Sequence, residues 1–428
     1  MSTRLLSGGV DAQGSRLDVR IDDGDGTILS MGSEVVASEG EQRVDCSGMV
    51  VLAAQAEPHL HLDKVDTAWR LKNPSGELMD AVKVWMDNVP TLDADEVCER
   101  AVSTIDDYVA NGATSIRSHV NLSPQASLAP LEGLLAARDR VADRCDVQLV
   151  ALVPRSLAGA SEVAEQNRAL VRRAVELGVD LVGGAPHSDA DPSATTDVLV
   201  ELAAELDVGI DLHTDETLDP GAVSLSLFAR RVARLGLSGR ATASHCVSLG
   251  IQPPSFQTEV AELLEQSGVA VIALPATNLW LQARGVQSAP PRGVTAVRAL
   301  LDAGVTVGSG ADNLRDPFCP IGRADPLETA ALLAVTAHLT LTEAWWAVTG
   351  GARGAMGVAG GQLHVGAPAE ILAVAGRDLD DAIARASARR ITVHRGRVVA
   401  ETTVSRSFPA ADAPATATAT APTATPAA

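Results

Sequence analysis

Eight short apolar runs, at 50–56, 115–120, 147–153, 181–185, 209–213, 241–245, 269–274 and 305–309, alternate with amphipathic stretches such as 164–177 and 258–267. Runs this short read as buried strands, and the segments between them read as helices. Sustained strand–helix alternation predicts βα units around a parallel sheet. Eight units match a (β/α)8 TIM-type barrel, an α/β fold whose active face lies at the C-terminal ends of the strands. The longest gap follows the first run and holds a predicted helix over 78–87, which can cap that face.

The chain ends have a different texture. In Arg16-Leu17-Asp18-Val19-Arg20-Ile21 the apolar residues share one face, and Asp22-Asp23-Gly24-Asp25-Gly26 follows as a turn. Alternation returns at 368–374 and 391–399. The simplest organisation is a small β domain built from 1–48 and 361–405, with the barrel, 49–360, inserted between. From 409 to 428 the sequence is almost only Ala, Thr and Pro. Such a tail buries too little apolar surface to offset its ordering entropy and is expected to be disordered.

Net charge decides which partners to discard. At −20 the chain is poorly suited to nucleic acid or an anionic membrane, both polyanions. No uncharged apolar run reaches the ~20 residues needed to span a bilayer, and no secretory signal opens the sequence. Five scattered cysteines without a CxxC pair suit reduced thiols, so a cytoplasmic location is expected.

The first barrel run leads into Glu57-Pro58-His59-Leu60-His61-Leu62-Asp63-Lys64. Residues two apart in a strand point the same way, so His59 and His61 converge. His213 and Asp312 also sit at or just past strand ends, which meet in one barrel mouth. Three imidazoles and a carboxylate suit one divalent metal ion, Zn or Fe, and leave room for a water. Such an ion lowers the pKa of bound water toward ~7. Glu216, three residues past His213, is placed to take a proton from that water and pass it to a leaving nitrogen. His245 is positioned either to orient the attacking oxygen or to serve as a further ligand. Lys64, Lys72 and Lys83 are the only lysines, so no mid-barrel lysine is available to bridge two metals. His119 and His187 close the second and fourth runs as candidate substrate contacts or supports for the ligands.

Pro58-His59-Leu60-His61-Leu62-Asp63, Arg117-Ser118-His119-Val120, His213-Thr214-Asp215-Glu216, Ser244-His245, the stretch 278–284 and Gly310-Ala311-Asp312-Asn313 together resemble the amidohydrolase superfamily, in its cytosine deaminase-like branch. The resemblance implies a barrel with one metal on His59, His61, His213 and Asp312. It makes Glu216 the proton shuttle, and His245 and Asp312 the groups that orient the attacking oxygen. Where cytosine deaminases carry a glutamine after the third strand, this chain has Arg155; Asn313 replaces a second aspartate and Phe318 a tryptophan. Arginine's planar fork suits carbonyl-rich or carboxylate-bearing compounds. Arg155, Asn313, Phe318 and His119 are therefore the candidate substrate contacts.

The function so implied is hydrolysis of a C–N bond in a small nitrogen heterocycle, more oxygenated or anionic than cytosine, with release of ammonia or an amine. The partner is that small-molecule substrate, and a homo-oligomer is the expected assembly. The alternatives are ring opening of a cyclic amide, as in dihydropyrimidinase-like or hydantoinase-like members, and a non-catalytic scaffold. Free amine rather than a new carboxylate separates the first, and failure to bind metal would favour the second.

Overall fold

The computed structural model describes residues 2–123, 128–153 and 155–408, so the Ala/Thr/Pro stretch from 409 lies outside the described residues. Strands β1 (Thr3–Val10), β2 (Arg16–Asp22) and β3 (Ile28–Gly32) form an antiparallel meander. β4 (Gln42–Asp45) pairs in parallel with β1, and β5 (Met49–Ala53) continues the sheet. The eight barrel strands follow. They are β6 (Gln55–Leu60), β7 (Ala113–Asn121), β8 (Asp146–Val153), β9 (Leu181–Gly184), β10 (Gly209–Thr214), β11 (Ala241–His245), β12 (Val269–Ala273) and β13 (Val307–Ser309). β14 (Ile371–Ala375), β15 (Arg390–His394) and β16 (Arg397–Thr402) return to the first sheet.

The first sheet runs β16-β15-β14-β5-β1-β2-β3, so both chain ends build it. Leu17, Val19 and Ile21, the apolar face of β2, are buried there with Ile371, Ile391 and Val393. In the second sheet each strand pairs in parallel with its sequence neighbour, from β6 to β13. Both faces of these strands are buried, so β12 is wholly apolar, while β6, β7, β10 and β11 carry buried polar side chains as well. A bridge between Leu60 and Asp312 brings the last strand's loop back to β6, and the Asp312 N–H donates to the His59 carbonyl at 2.9 Å. The barrel is thereby nearly closed, with its seam at the candidate site.

The single strand expected over 50–56 is two strands. β5 pairs antiparallel with β14, and after Ala54 the chain crosses to the barrel as β6. No Gly, Pro, Asn or Asp marks the crossing, and only Gln55 interrupts the apolar residues there. Backbone groups stay satisfied: Ala54 N–H donates to the Glu370 carbonyl, and Gln55 N–H to that of Gly112. Buried Arg353 donates to the carbonyls of Ala54 and Gln55.

The helix Leu78–Asn88 lies over the C-terminal end of the barrel and turns Trp85 inward, almost fully buried. The next helix, Ala94–Ala110, is capped by Asp93, whose carboxylate accepts from the N–H groups of Asp95 and Glu96. A cap of this kind contributes about 1 kcal/mol. No helix among the described residues is long and apolar enough to cross a membrane.

Candidate active site

His59 lies near the end of β6 and His61 just past it; His213 is in β10, His245 ends β11, and Asp312 follows β13. All five are buried. Nε2 of His61 is 3.1 Å from Nε2 of His213 and 3.2 Å from Oδ1 of Asp312. Nε2 of His59 is 3.4 Å from the same oxygen, and Nε2 of His245 is 3.8 Å from Oδ2. Ligand atoms of His59, His213, His245 and Asp312 all lie within 4.8 Å of one another. His61 approaches this group through His213 and Asp312.

Local backbone geometry aims these side chains. Asp312 and His245 hold positive φ values of 64° and 70°, and Asp215 one of 47°. Left-handed conformations in non-glycine residues cost about 1–3 kcal/mol each and persist only where neighbours impose them. Here the Asn313 N–H donates to Thr277 Oγ1 at 3.1 Å, and the Ala311 N–H to the Glu57 carboxylate. Asp215 accepts from Ser224 and from the Leu225 N–H, fastening the loop that carries Glu216 to the next helix.

Nε2 of His59, Nε2 of His245 and both oxygens of Asp312 lack hydrogen-bond partners among the described residues. Leaving so many buried polar atoms unpaired is costly. A divalent cation satisfies the lone pairs of His59 and Asp312, an oxygen held beside it satisfies a His245 N–H, and the residues fit such an ion. Burial pushes the His61 imidazole down to about 4 and that of His245 to about 3, and it lowers His213 and His119 strongly. The rings are neutral at pH 7, the form in which imidazole ligates metal. For Asp312 burial alone would raise the carboxyl, but contacts with His245, His59 and His61 outweigh it and hold it low.

Above this cluster opens a cavity of about 700 Å³. Glu216 lines it, with Oε1 3.5 Å from Nδ1 of His245. Burial, followed by repulsion from Asp312, raises the Glu216 carboxyl well above the ordinary range. Asn278 Nδ2 is 3.0 Å from Nδ1 of His245. Asn313 and Phe318 line the cavity, and Asn313 also donates to buried Asp316 at 2.8 Å. Arg155 lines the cavity from an exposed position, 3.6 Å from Met79 Sδ. His119 is fully buried, its ring centroid 4.1 Å from that of His59, and is not among the residues lining the cavity.

Two features escape the sequence reading. Lys64, 2% exposed, lines the cavity with Nζ 2.8 Å from His61 Nδ1 and 5.5 and 5.3 Å from the ring centroids of Trp85 and Phe318. Its place directly after His-Leu-His-Leu-Asp was the available signal. Leu78, Met79, Val82, Trp85 and Met86 add an apolar wall from the capping helix. The expected helix does cover the active face; the side chains with which it lines the cavity are not among the expected contacts.

The model of the amidohydrolase family matches residues 86–400. A pterin deaminase of Rhizobium rhizogenes is 31% identical over 363 residues, 83% of this chain and 82% of that protein. The 5-methylcytosine deaminase of Klebsiella pneumoniae, solved with 5-fluorocytosine, superposes with a TM-score of 0.85 at 26% identity, covering 94% of this chain and 99% of the other. The N-isopropylammelide isopropylaminohydrolase of Burkholderia multivorans gives 0.80 at 28% identity, covering 94% and 99%. With barrel, seam and buried histidine cluster in agreement with a match across most of its length, the chain belongs to the amidohydrolase family.

Proposed function

We propose that the protein is a metal-dependent hydrolase that breaks a C–N bond of a small nitrogen heterocycle and releases ammonia or an amine. The observation that carries this reading is the cluster of unpaired imidazole nitrogens and Asp312 oxygens beneath a cavity into which Glu216 projects. His59, His61, His213 and Asp312 would hold one divalent cation, Zn or Fe. When bound, that ion supplies Lewis acidity and lowers the pKa of water.

The chain's own groups handle the proton and the orientation. Glu216, with its raised carboxyl, takes a proton from the attacking water at Oε and delivers it to the ring or leaving nitrogen. Asn278 donates to His245 Nδ1, which places that ring's proton on Nε2, toward Asp312. His245 so arranged is a donor to the attacking oxygen rather than a further ligand. Lys64, Asn313 and Arg155 face the substrate with polar groups, and Trp85 and Phe318 supply flat apolar surface.

The substrate class follows from cavity and relatives together. A single aminopyrimidine ring fills a small part of a cavity of about 700 Å³. Relatives named for pterin, 5-methylcytosine and N-isopropylammelide share an amino or alkylamino group on an sp² carbon of a nitrogen ring. The reading is therefore an oxo-bearing aminopyrimidine, aminotriazine or pterin. A cytoplasmic location belongs to the same reading, since the five cysteines are buried and unpaired.

The test is metal analysis of purified protein with a screen for ammonia or amine release from aminopyrimidines, aminotriazines and pterins. Amine release that tracks zinc or iron content is expected. A ring-opened carboxylate as product, or protein that retains no transition metal, would overturn the proposal.

A further inference from the structure

On the far side of the histidine cluster from the cavity runs a buried polar chain that the proposed reaction leaves unused. Arg117 of β7, Asp211 of β10 and Ser244 of β11 are each 2% exposed or less. Arg117 Nη1 donates to Asp211 Oδ2 and to Thr242 Oγ1, each at 3.0 Å. Its other nitrogens donate to Gln148 Oε1 at 3.0 Å and the Ala355 carbonyl at 3.2 Å. Ser244 Oγ is 2.9 Å from Asp211 Oδ1 and 2.8 Å from His59 Nδ1. His119 also faces Asp211, at 3.7 Å, without a hydrogen bond.

Counting protons along this chain leaves one arrangement. As the carboxylate partner of a guanidinium, Asp211 is an acceptor only. The serine hydroxyl has a single proton, and it goes to Asp211. Toward His59 the serine then offers lone pairs alone, so Nδ1 must bring the proton. The other nitrogen, Nε2, is left as a bare lone pair aimed at the cluster. The competing tautomer would carry its proton on Nε2, 3.4 Å from Asp312 Oδ1, and would tie those two groups to each other. We infer that Arg117, Asp211 and Ser244 form a positioning relay that locks His59 in its Nδ1–H tautomer and so keeps Nε2 free to bind metal. Its consequence for metal binding rests on the function proposed above; the tautomer itself does not. Groups that orient ligating histidines in this way typically change metal affinity 10–100-fold.

Two measurements test the relay. Long-range nitrogen–proton spectra of 15N-histidine-labelled, metal-free protein should show His59 protonated at Nδ1, and Ser244→Ala should lose or mix that tautomer. Zinc affinity by chelator competition should fall about 10–100-fold in Ser244→Ala and recover in Ser244→Thr, which restores a hydroxyl. A wild-type His59 protonated at Nε2, or Ser244→Ala with wild-type zinc affinity, would overturn the relay. Wild-type protein with the Nδ1–H tautomer but no zinc affinity would overturn the metal reading while supporting the lock. If Ser244→Ala does not fold, the wild-type tautomer decides alone.

Discussion

The Lys64 ammonium lies 2.8 Å from Nδ1 of His61, between the rings of Trp85 and Phe318. An ammonium has three protons and no lone pair, so in this arrangement Nδ1 accepts and Nε2 carries the ring proton. Nε2 is also the atom nearest His213 and Asp312. For His61 to ligate through Nε2, its proton must move to Nδ1 and Lys64 must turn toward the cavity, where a substrate oxygen can accept from it. Lys64→Met removes both the competing donor and a nearby positive charge. Zinc affinity is expected to rise about tenfold, while KM for an oxo-bearing substrate rises by at least about tenfold. Weaker zinc binding in chelator competition would refute this account.

Glu216 connects catalysis to stability. Glu216→Gln keeps the shape but cannot shuttle a proton, and kcat should fall by about 10²–10⁴. The folded-state pKa is raised, so this group's contribution is fully present below the unfolded value near 4.5 and is lost as pH climbs through the raised one. In metal-free protein, Glu216→Gln is therefore expected to raise Tm more at pH 8 than at pH 4.5. Thermal scans at the two pH values check the sign, and an equal or opposite change would contradict it.

Much of this site is legible in the sequence. His59 and His61 follow an apolar run at strand spacing, and barrel geometry gathers His213, His245 and Asp312 from distant strand ends. What remained hidden depends on contacts that have no local signature. Asp312 holds a positive φ without being glycine, and the N–H groups on either side of it donate to Glu57 and Thr277 from distant parts of the chain. Lys64 has no role in the sequence reading, and Trp85 and Phe318, whose rings lie near its ammonium, are 21 and 254 positions away in the chain. The crossing at Ala54 closes an apolar run, where periodicity carries no information about which sheet a residue joins.

Arg155 lines the cavity from an exposed position beside Met79. A guanidinium that contacts the substrate from there would favour a carboxylate or paired carbonyls over neutral aminopyrimidines. Arg155→Gln should lower kcat/KM for an acidic or oxidised ring about 10–100-fold and leave cytosine nearly unchanged. Parallel kinetics of both proteins on cytosine and on acidic analogues decide the matter. An unchanged preference would show that the side chain does not contact substrate.

The barrel seam supplies the last prediction. Glu57, buried at the start of the His-x-His segment, accepts from the His59 N–H, the Ala311 N–H and the Tyr108 hydroxyl, and so joins β6 to the loop bearing Asp312. Gly310 lies against this clamp: a Cβ there would stand 2.2 Å from Glu57 Oε1 and 3.1 Å from the His59 carbonyl oxygen. Gly310→Ala must therefore push apart the two segments that present His59 and Asp312. Tyr108→Phe removes one hydrogen bond and leaves that spacing intact. Both variants are expected to lose about 1–3 kcal/mol of stability. Only Gly310→Ala should also lose most of its zinc affinity, because metal geometry tolerates little displacement of its ligands. Denaturation together with chelator competition on the two proteins separates the effects; equal zinc affinity in both would mean that the seam does not set the distance between His59 and Asp312.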